Sequence, residues 1–183
     1  MDPAKAEERR ESREMAEYDF VSRWFIDAPI ARVFDAIEDA ASWPSWWKAV
    51  AQIDVLDRAG ADGIGALTRC KWRSAFGYTL SFDARVTKRA PPNLIEVAAA
   101  GELVGVGRWT LSPESAGTHV QYEWTVTTTK RWMNFLAPIL RPAFRYNHSV
   151  VMRWGGEGLG RHLGARFEDR SAVSRDSSPL RSS

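Results

Sequence analysis

The chain has 183 residues, of which 44% are hydrophobic and 26% charged, with a formal net charge of +2. This is the composition of an ordinary globular domain, and the small charge, with acidic and basic residues interspersed, argues against a polyanion partner. The single cysteine, Cys70, excludes an internal disulfide, and no apolar run approaches the ~20 residues that span a bilayer, so we predict a soluble, cytoplasmic protein.

The two ends of the chain are polar, and we predict that neither belongs to the folded domain. Residues 1–17 are highly charged and lack the apolar core of a secretory signal, so they are predicted to form a solvated arm. Residues 170–183 are polar and serine-rich, which is typical of a disordered tail. The domain is therefore predicted to cover residues 18–169.

The domain begins with a predicted strand, "YDFVSRWFID", in which Phe20, Ser22, Trp24 and Ile26 share one face. The sequence then changes to a helical period in "APIARVFDAIEDA", with Pro29 suited to the first turn. A strand followed at once by a short amphipathic helix is the first pair of elements that we predict.

Three tryptophans stand within five positions in "SWPSWWKAV", residues 42–50. Pro44 near its start predicts a second short helix or turn. In a helix, Trp43 and Trp47 would share a face, while Trp46 would be turned by about 100° from Trp47. We therefore predict that Trp43 and Trp47 plug one end of the core and that Trp46 lies nearer the rim.

Six further antiparallel strands are predicted between residue 50 and about residue 129, separated by turn sequences such as "RAGADG" and "APPN". Alternation of apolar and polar residues is clearest in residues 78–87 and 119–126, which predicts a sheet with one face in water and the other over a core. Gly105 and Gly107 in "GVGRW" predict a bulge or a sharp bend.

Residues 130–168 form the only segment long enough to cover that core. Pro138 and Pro142 are predicted to break or kink its start. Beyond them a helical period places on one apolar stripe Phe144, His148, Val151, Met152, Gly155, Leu159 and Leu163. Each helical glycine in "GGEGLG" costs up to ~1 kcal/mol relative to alanine, so these glycines predict a close approach to the sheet or a ligand. The complete order of elements is α+β.

Three segments make the chain resemble a known superfamily: "APIARVFDAIEDAASWPSWWKAV", "GVGRWTLSPESAGTHVQYEWTV" and "FRYNHSVVMRWGGEGLGRHL". Together with the element order, they resemble the START and pollen-allergen-like helix-grip (SRPBCC) superfamily, and within it the polyketide cyclase/dehydrase and lipid-transport group. The resemblance covers about residues 18–167. It implies a curved antiparallel sheet of about seven strands wrapped around a long C-terminal helix, with two short helices after the first strand. It also implies a deep, largely apolar cavity between sheet and helix, closed at one end by the second short helix.

Inward-facing aromatic side chains and the apolar stripe of the long helix supply the predicted ligand-binding residues. Ligand pockets are mostly apolar with a few directed polar groups, which is the composition of this set. His148, Asn147, Tyr78 and Tyr122 are the polar groups that would orient a ligand. The full set is Trp24, Trp47, Trp72, Tyr78, Phe82, Trp109, Tyr122, Trp124, Phe144, Asn147, His148 and Met152.

These residues predict a protein that binds a hydrophobic, ring-containing small molecule, lipid-like or polyketide-like. An enzyme of the cyclase/dehydrase type, with His148 as the acid/base group, is one alternative. A non-catalytic interaction protein is the other. For His148 itself, a role as a hydrogen-bonded core residue also stays open.

Other kinds of site are not indicated by the sequence. No metal site is predicted, because His148 has no second and third ligand at workable spacing. No cofactor is predicted, because "GGEGLG" lacks the order of a phosphate-binding loop and follows a helix. Arg69, Lys71 and Arg73 resemble a solvated strand face more than a nucleic-acid surface, so no nucleic-acid partner is predicted. The residues indicate no oligomeric state.

Overall fold

A computed structural model describes residues 17–129 and 131–171, with side chains described for residues 18–129 and 142–171. The elements are β1 (Glu17–Ile26), α1 (Ile30–Glu38), a 3-10 turn (Ala40–Ser42), α2 (Trp43–Trp46), β2 (Val50–Asp57), β3 (Leu67–Arg73), β4 (Thr79–Ala90), β5 (Leu94–Gly101), β6 (Leu103–Glu114), β7 (Gly117–Thr128), α3 (Arg131–Leu163) and β8 (Phe167–Asp169). The predicted arm, apart from Glu17, lies outside the described residues, as does the predicted tail beyond Ser171.

The eight strands form one curved antiparallel sheet in the order β2-β3-β4-β5-β6-β7-β1-β8, against which α3 lies. The predicted α+β helix-grip fold is confirmed, with one strand more than the seven expected. The additional strand, β8, pairs Phe167–Asp169 with Trp24–Ile26. Three residues are too few for an alternating pattern to reveal a strand. Ser171 follows β8, and its hydroxyl accepts a hydrogen bond from the backbone N–H of Arg23.

The core lies between the concave face of the sheet, α1 and the C-terminal part of α3. Period two in β7 buries Val120, Trp124 and Val126. Helical spacing in α1 buries Val33, Phe34 and Ile37. The fully buried side chains of greatest volume are Trp24 and Trp47.

Helix α3 continues from Arg131 to Leu163 through both prolines. Of the predicted break or kink at Pro138 and Pro142, the break is therefore wrong. A proline within a helix removes one N–H hydrogen-bond donor, and the remaining ladder can carry the helix past it. Beyond the prolines the predicted apolar stripe holds: Phe144, Met152 and Leu159 are buried, whereas Tyr146 is 61% exposed.

The glycine run near the end of α3 lets three aromatic residues approach the helix closely. A Cβ atom added at Gly155 would lie 2.4 Å from the ring of Trp47, and one at Gly156 would lie 2.1 Å from the ring of Phe167. One at Gly158 would lie 2.0 Å from the backbone oxygen of Trp46. The predicted close approach is therefore present, and the neighbours are the tryptophan segment and β8.

The tryptophan segment differs from its prediction in one respect. Trp46 is buried at 8% exposure and Trp47 at 1%, whereas Trp43 is only half-buried. Helix α2 ends at Trp46, and Trp47 is extended (φ −101°, ψ 100°), so the helical angles assumed for the three rings do not apply. Trp46 instead stacks on Trp47, with ring centroids 5.6 Å apart.

Gly105 and Gly107 do not mark a bulge, because β6 pairs with β5 and β7 through both positions without a shift in register. A Cβ atom added at Gly105 would lie 2.1 Å from the backbone oxygen of Thr125. One at Gly107 would lie 2.8 Å from the ring of Trp124 and 2.8 Å from the hydroxyl of Tyr122. These glycines leave room for the neighbouring strand and its aromatic side chains.

Candidate functional site

Residues that the structure describes line two cavities on the concave face of the sheet. The first, called here the helix cavity, has a volume of about 130 Å³ and lies between α3 and β1, β3, β4, β6 and β7; Phe20, Leu80, Phe144, Asn147 and His148 are among its lining residues. The second, called here the α1 cavity, has a volume of about 340 Å³; it lies between the end of α1, the β2–β3 turn and the sheet, and is lined by Trp43, Arg58, Cys70 and Arg89 among others. The resemblance had implied one deep cavity between sheet and helix.

Four aromatic side chains line both cavities and are called here the aromatic partition: Trp72, Phe82, Tyr122 and Trp124. They contact one another through their rings, with centroid distances of 5.9 Å between Phe82 and Trp124 and 6.0 Å between Tyr122 and Trp124. Trp109 stacks on Tyr122 from the α1 cavity at 4.1 Å. Such ring pairs hold one another in place, so the partition is a packed layer.

The structure brings most of the predicted ligand-binding residues to the helix cavity. Nine of them line it: Trp72, Tyr78, Phe82, Tyr122, Trp124, Phe144, Asn147, His148 and Met152. Trp109 lines only the α1 cavity. Trp24 and Trp47 line neither of the two and lie in the core at 1% exposure each. The Trp47 indole N–H donates to the backbone oxygen of Val151 at 2.9 Å, which ties the tryptophan segment to α3.

His148 lies in the wall of the helix cavity and is held from two sides. Its ring stacks on Phe20, with centroids 4.2 Å apart, and its Nε2 atom lies 3.3 Å from the hydroxyl of Ser22. Burial lowers the pKa of His148 to about 4, so the imidazole is neutral near pH 7. Ser22 is itself buried on the inner face of β1.

Asn147 and Tyr78 lie where the β3–β4 turn meets α3. Asn147 Oδ1 accepts a hydrogen bond of 2.7 Å from the backbone N–H of Ala75, which anchors that turn to the helix. Burial raises the pKa of Tyr78, while a hydrogen bond with the Ser74 side chain opposes that shift. Both side chains therefore have structural roles besides facing the cavity.

Tyr122 and Cys70 lie deeper in the sheet. Burial raises the pKa of the Tyr122 hydroxyl above its ordinary value, so this group stays protonated. Burial also raises the pKa of the Cys70 thiol, which lies 3.7 Å from the hydroxyl of Thr68. A buried, protonated thiol is a poor nucleophile.

Several lining residues were not singled out from the sequence. Phe20, Leu80 and Val126 were assigned to the inner face by their period-two alternation, but alternation does not distinguish a cavity wall from filled core. Ser22, the partner of His148, was on the same face without any indication of a role. The β2–β3 turn and the ion pair between Arg89 and Glu38 at the α1 cavity had no detectable signal, because residues that approach across loops share no sequence period.

Within residues 17–129 and 131–171, no group of three or more His, Cys, Asp and Glu side chains is placed to hold a metal ion. In the same part of the chain, every helix is too short or too polar to cross a membrane. What the arrangement offers chemically is a largely apolar, ring-lined space with a few neutral polar groups, together with Arg73 in the helix cavity and Glu38, Arg58 and Arg89 in the α1 cavity.

Comparison with known proteins places this arrangement among related folds. The sequence family described as polyketide cyclase / dehydrase and lipid transport matches residues 26–146. A search of curated proteins found no significant match.

Among solved structures, the di-domain ARO/CYC protein BexL from the BE-7585A biosynthetic pathway is similar at 23% identity and a TM-score of 0.63, over 82% of this chain and 51% of BexL. The di-domain ARO/CYC protein StfQ from the steffimycin biosynthetic pathway has 16% identity and a TM-score of 0.61, over 88% and 56%. A START superfamily protein from Mycobacterium smegmatis has 15% identity and a TM-score of 0.62, over 82% and 97%. The chain thus spans about half the length of the two di-domain proteins, and at these identities the likeness concerns the fold.

Proposed function

This chain belongs to the polyketide cyclase / dehydrase and lipid transport family, and from this membership we propose that it binds a hydrophobic, ring-containing small molecule between the sheet and α3. A hydrophobic small molecule is the partner that the family suggests. A ring-containing ligand is favoured because the space is lined with rings, which offer flat surfaces for stacking. A cytoplasmic location without a nucleic-acid partner accords with the small, evenly distributed charge.

The observation that carries the proposal is the helix cavity itself, an apolar space within a sheet rich in packed aromatic side chains. Protein interiors are close-packed, and voids larger than a water molecule are few. An apolar cavity of about 150 Å³ is known to hold benzene, so the ~130 Å³ of the helix cavity is near the size of one ring. A larger ligand would have to displace rings of the aromatic partition before it entered the α1 cavity.

A second candidate function, catalysis of the cyclase/dehydrase type, is supported by the position of His148 in the wall of the helix cavity. Its imidazole is neutral near pH 7 because burial lowers its pKa to about 4. A neutral ring nitrogen can accept a proton from a bound molecule, but here it is a weak base, because the same burial disfavours the imidazolium that would form. The hydroxyl of Ser22 beside Nε2 would fix the orientation of the ring. In this role His148 is the general base, and no second acid/base residue is assigned.

The test of binding is to purify the protein from its native host and identify co-extracted small molecules by mass spectrometry. Titration with the neutral dye N-phenyl-1-naphthylamine gives a second readout that does not depend on the native ligand. We expect a ring-containing compound in the extract and dye fluorescence that saturates. A ligand-free preparation that also leaves the dye unbound would contradict the proposal.

Replacement of His148 separates the two candidate functions. In a pure binding protein, His148→Gln weakens retention of the co-extracted compound, and the wild-type protein leaves that compound chemically unchanged. In an enzyme, the wild-type protein converts the compound and His148→Gln does so at a rate lower by at least about a hundredfold, the usual contribution of general base catalysis. A fall in melting temperature without either effect would assign His148 to the core.

A further inference from the structure

We propose that the hydroxyl of Tyr122 selects ligands that carry an uncharged hydrogen-bond acceptor, such as a ring carbonyl, where the ligand meets the aromatic partition. This inference rests on the proposed function, because it requires a ligand in the interior. It goes further by naming the ligand group that is recognised and the atom that recognises it.

The first step is the hydrogen bonding of the polar groups that line the helix cavity. His148 lies within hydrogen-bond distance of Ser22, and the Asn147 carbonyl oxygen is occupied by the backbone N–H of Ala75. Tyr78 is held by Ser74. The Asn147 Nδ2 group and the Arg73 guanidinium have no hydrogen bond with a described residue, but both side chains line only the helix cavity. The Tyr122 hydroxyl also makes no hydrogen bond with any residue that the structure describes, and Tyr122 lines both cavities.

The second step distinguishes Tyr122 from two other buried groups. The indole N–H groups of Trp24 and Trp72 also have no hydrogen-bond partner among the described residues. Both nitrogen atoms, however, are fully buried and have no solvent-accessible surface. A ligand would reach them only after side-chain movement. The Trp72 N–H in addition lies close enough to lower the pKa of the Cys70 thiol, a weak acceptor.

The third step is the role of Gly107, which lies on β6 next to the strand β7 that carries Tyr122. A Cβ atom at this position would lie 2.8 Å from the Tyr122 hydroxyl and 2.8 Å from the ring of Trp124. The glycine therefore provides the space in which the hydroxyl lies. Buried polar groups normally have a partner, and one that lacks it is stabilised by a ligand that supplies it.

The charge of the acceptor follows from the surroundings. The four residues of the aromatic partition are uncharged, and so is Trp109, which stacks on Tyr122. Arg73 lines the helix cavity, and Glu38, Arg58 and Arg89 line the α1 cavity, but none of these four lines both cavities as Tyr122 does, and Arg89 is paired with Glu38. A carboxylate against the Tyr122 hydroxyl would therefore meet uncharged rings, which is unfavourable for a buried charge. A ketone oxygen meets the hydroxyl without that penalty, so the preferred ligand is a neutral ring compound with a carbonyl group.

The experiment compares two one-ring probes that differ in one group, acetophenone and ethylbenzene, by isothermal titration calorimetry. We expect the wild-type protein to bind acetophenone about tenfold more tightly than ethylbenzene, the size of one buried hydrogen bond. Tyr122→Phe removes only the hydroxyl, and we expect it to abolish this preference by weakening acetophenone binding about tenfold. Tyr146→Phe removes a hydroxyl from an exposed tyrosine and is the matched control, which should retain the preference.

The outcomes separate this inference from the proposed function. If neither probe binds to the wild-type protein, both are overturned. If both bind equally well, or if Tyr122→Phe retains the preference, only the inference is overturned. Thermal unfolding adds a check, because a hydroxyl without a protein partner should leave the melting temperature unchanged when it is removed. A marked decrease would show that the hydroxyl is held by the protein and would also overturn the inference.

Discussion

The two halves of the apolar stripe on α3 differ in how closely they approach the rest of the molecule. In the C-terminal half of the stripe, called here the closed end, Gly155–Gly160 lie directly against Trp46, Trp47 and Phe167. In the N-terminal half of the stripe, called here the open end, Phe144–Met152 contribute the α3 wall of the helix cavity. Both ends face aromatic side chains, so aromatic content alone does not decide where a cavity forms. The size of the side chains on the helix decides it, because glycines let the helix approach and larger residues hold it away.

The first prediction concerns the closed end and has the largest expected effect. Gly158→Ala places a methyl group 2.0 Å from the backbone oxygen of Trp46, which cannot be relieved by turning a side chain. We expect the free energy of unfolding to fall by at least ~3 kcal/mol, in spite of the better helix propensity of alanine. Urea unfolding measures this. Gly60→Ala, where the nearest atom is 3.8 Å away, is the control, and a fully stable Gly158→Ala would refute the close contact.

The second prediction concerns His148 at the open end. Its folded-state pKa is lowered to about 4 from an ordinary 6.5, so between these values the unfolded chain binds the proton and the folded protein does not. Stability is therefore complete above pH 6.5 and decreases as the pH falls towards 4. We expect this one group to account for about 2–3 kcal/mol of the loss between pH 7 and pH 4.5.

The check is denaturant unfolding at both pH values. The free energy of unfolding of His148→Gln should fall by about 2–3 kcal/mol less on acidification than that of the wild-type protein. His162→Gln, at an exposed position beside Trp46, should behave like the wild-type protein. Equal losses in wild-type and His148→Gln proteins would mean that His148 is not buried as described.

The third prediction separates the tryptophans of the segment from one another. Trp47→Phe removes a fully buried ring and its hydrogen bond to the backbone oxygen of Val151. Trp43→Phe changes a half-buried ring and removes a hydrogen bond to the backbone oxygen of Ile37. We expect Trp47→Phe to lower the free energy of unfolding by about 1–2 kcal/mol more than Trp43→Phe does. Equal losses would contradict the placement of Trp47 in the core.

The fourth prediction has the smallest effect on stability and tests whether the open end has free space. Leu80 lines the helix cavity, so Leu80→Phe should fill it at a change of less than about 1 kcal/mol. Binding of N-phenyl-1-naphthylamine should weaken at least tenfold. Leu159→Phe enlarges a fully buried residue of the core and should destabilise the protein by more than about 2 kcal/mol. If Leu80→Phe and Leu159→Phe lowered the free energy of unfolding by similar amounts, the open end would have no more free space than the closed end.

Much of the fold could be predicted because it depends on local periodicity. Period two predicted which residues of β4 and β7 face inward, and helical spacing predicted the stripe from Phe144 to Leu159. The short strand β8 could not be found in this way, since three residues carry no period. The positions of Trp43 and Trp46 were predicted incorrectly because α2 ends one residue before Trp47.

The candidate site was predictable only as a set of residues that face inward. The sequence alone determined the α+β order, the aromatic face of the sheet and the placement of His148 on the apolar stripe, because each follows from spacing along one element. Only the tertiary structure decided that Trp24 and Trp47 fill the core, that four rings divide the interior, and that Ser22 meets His148. Each of these depends on how closely two elements approach, and that distance is set by packing between residues far apart in the chain.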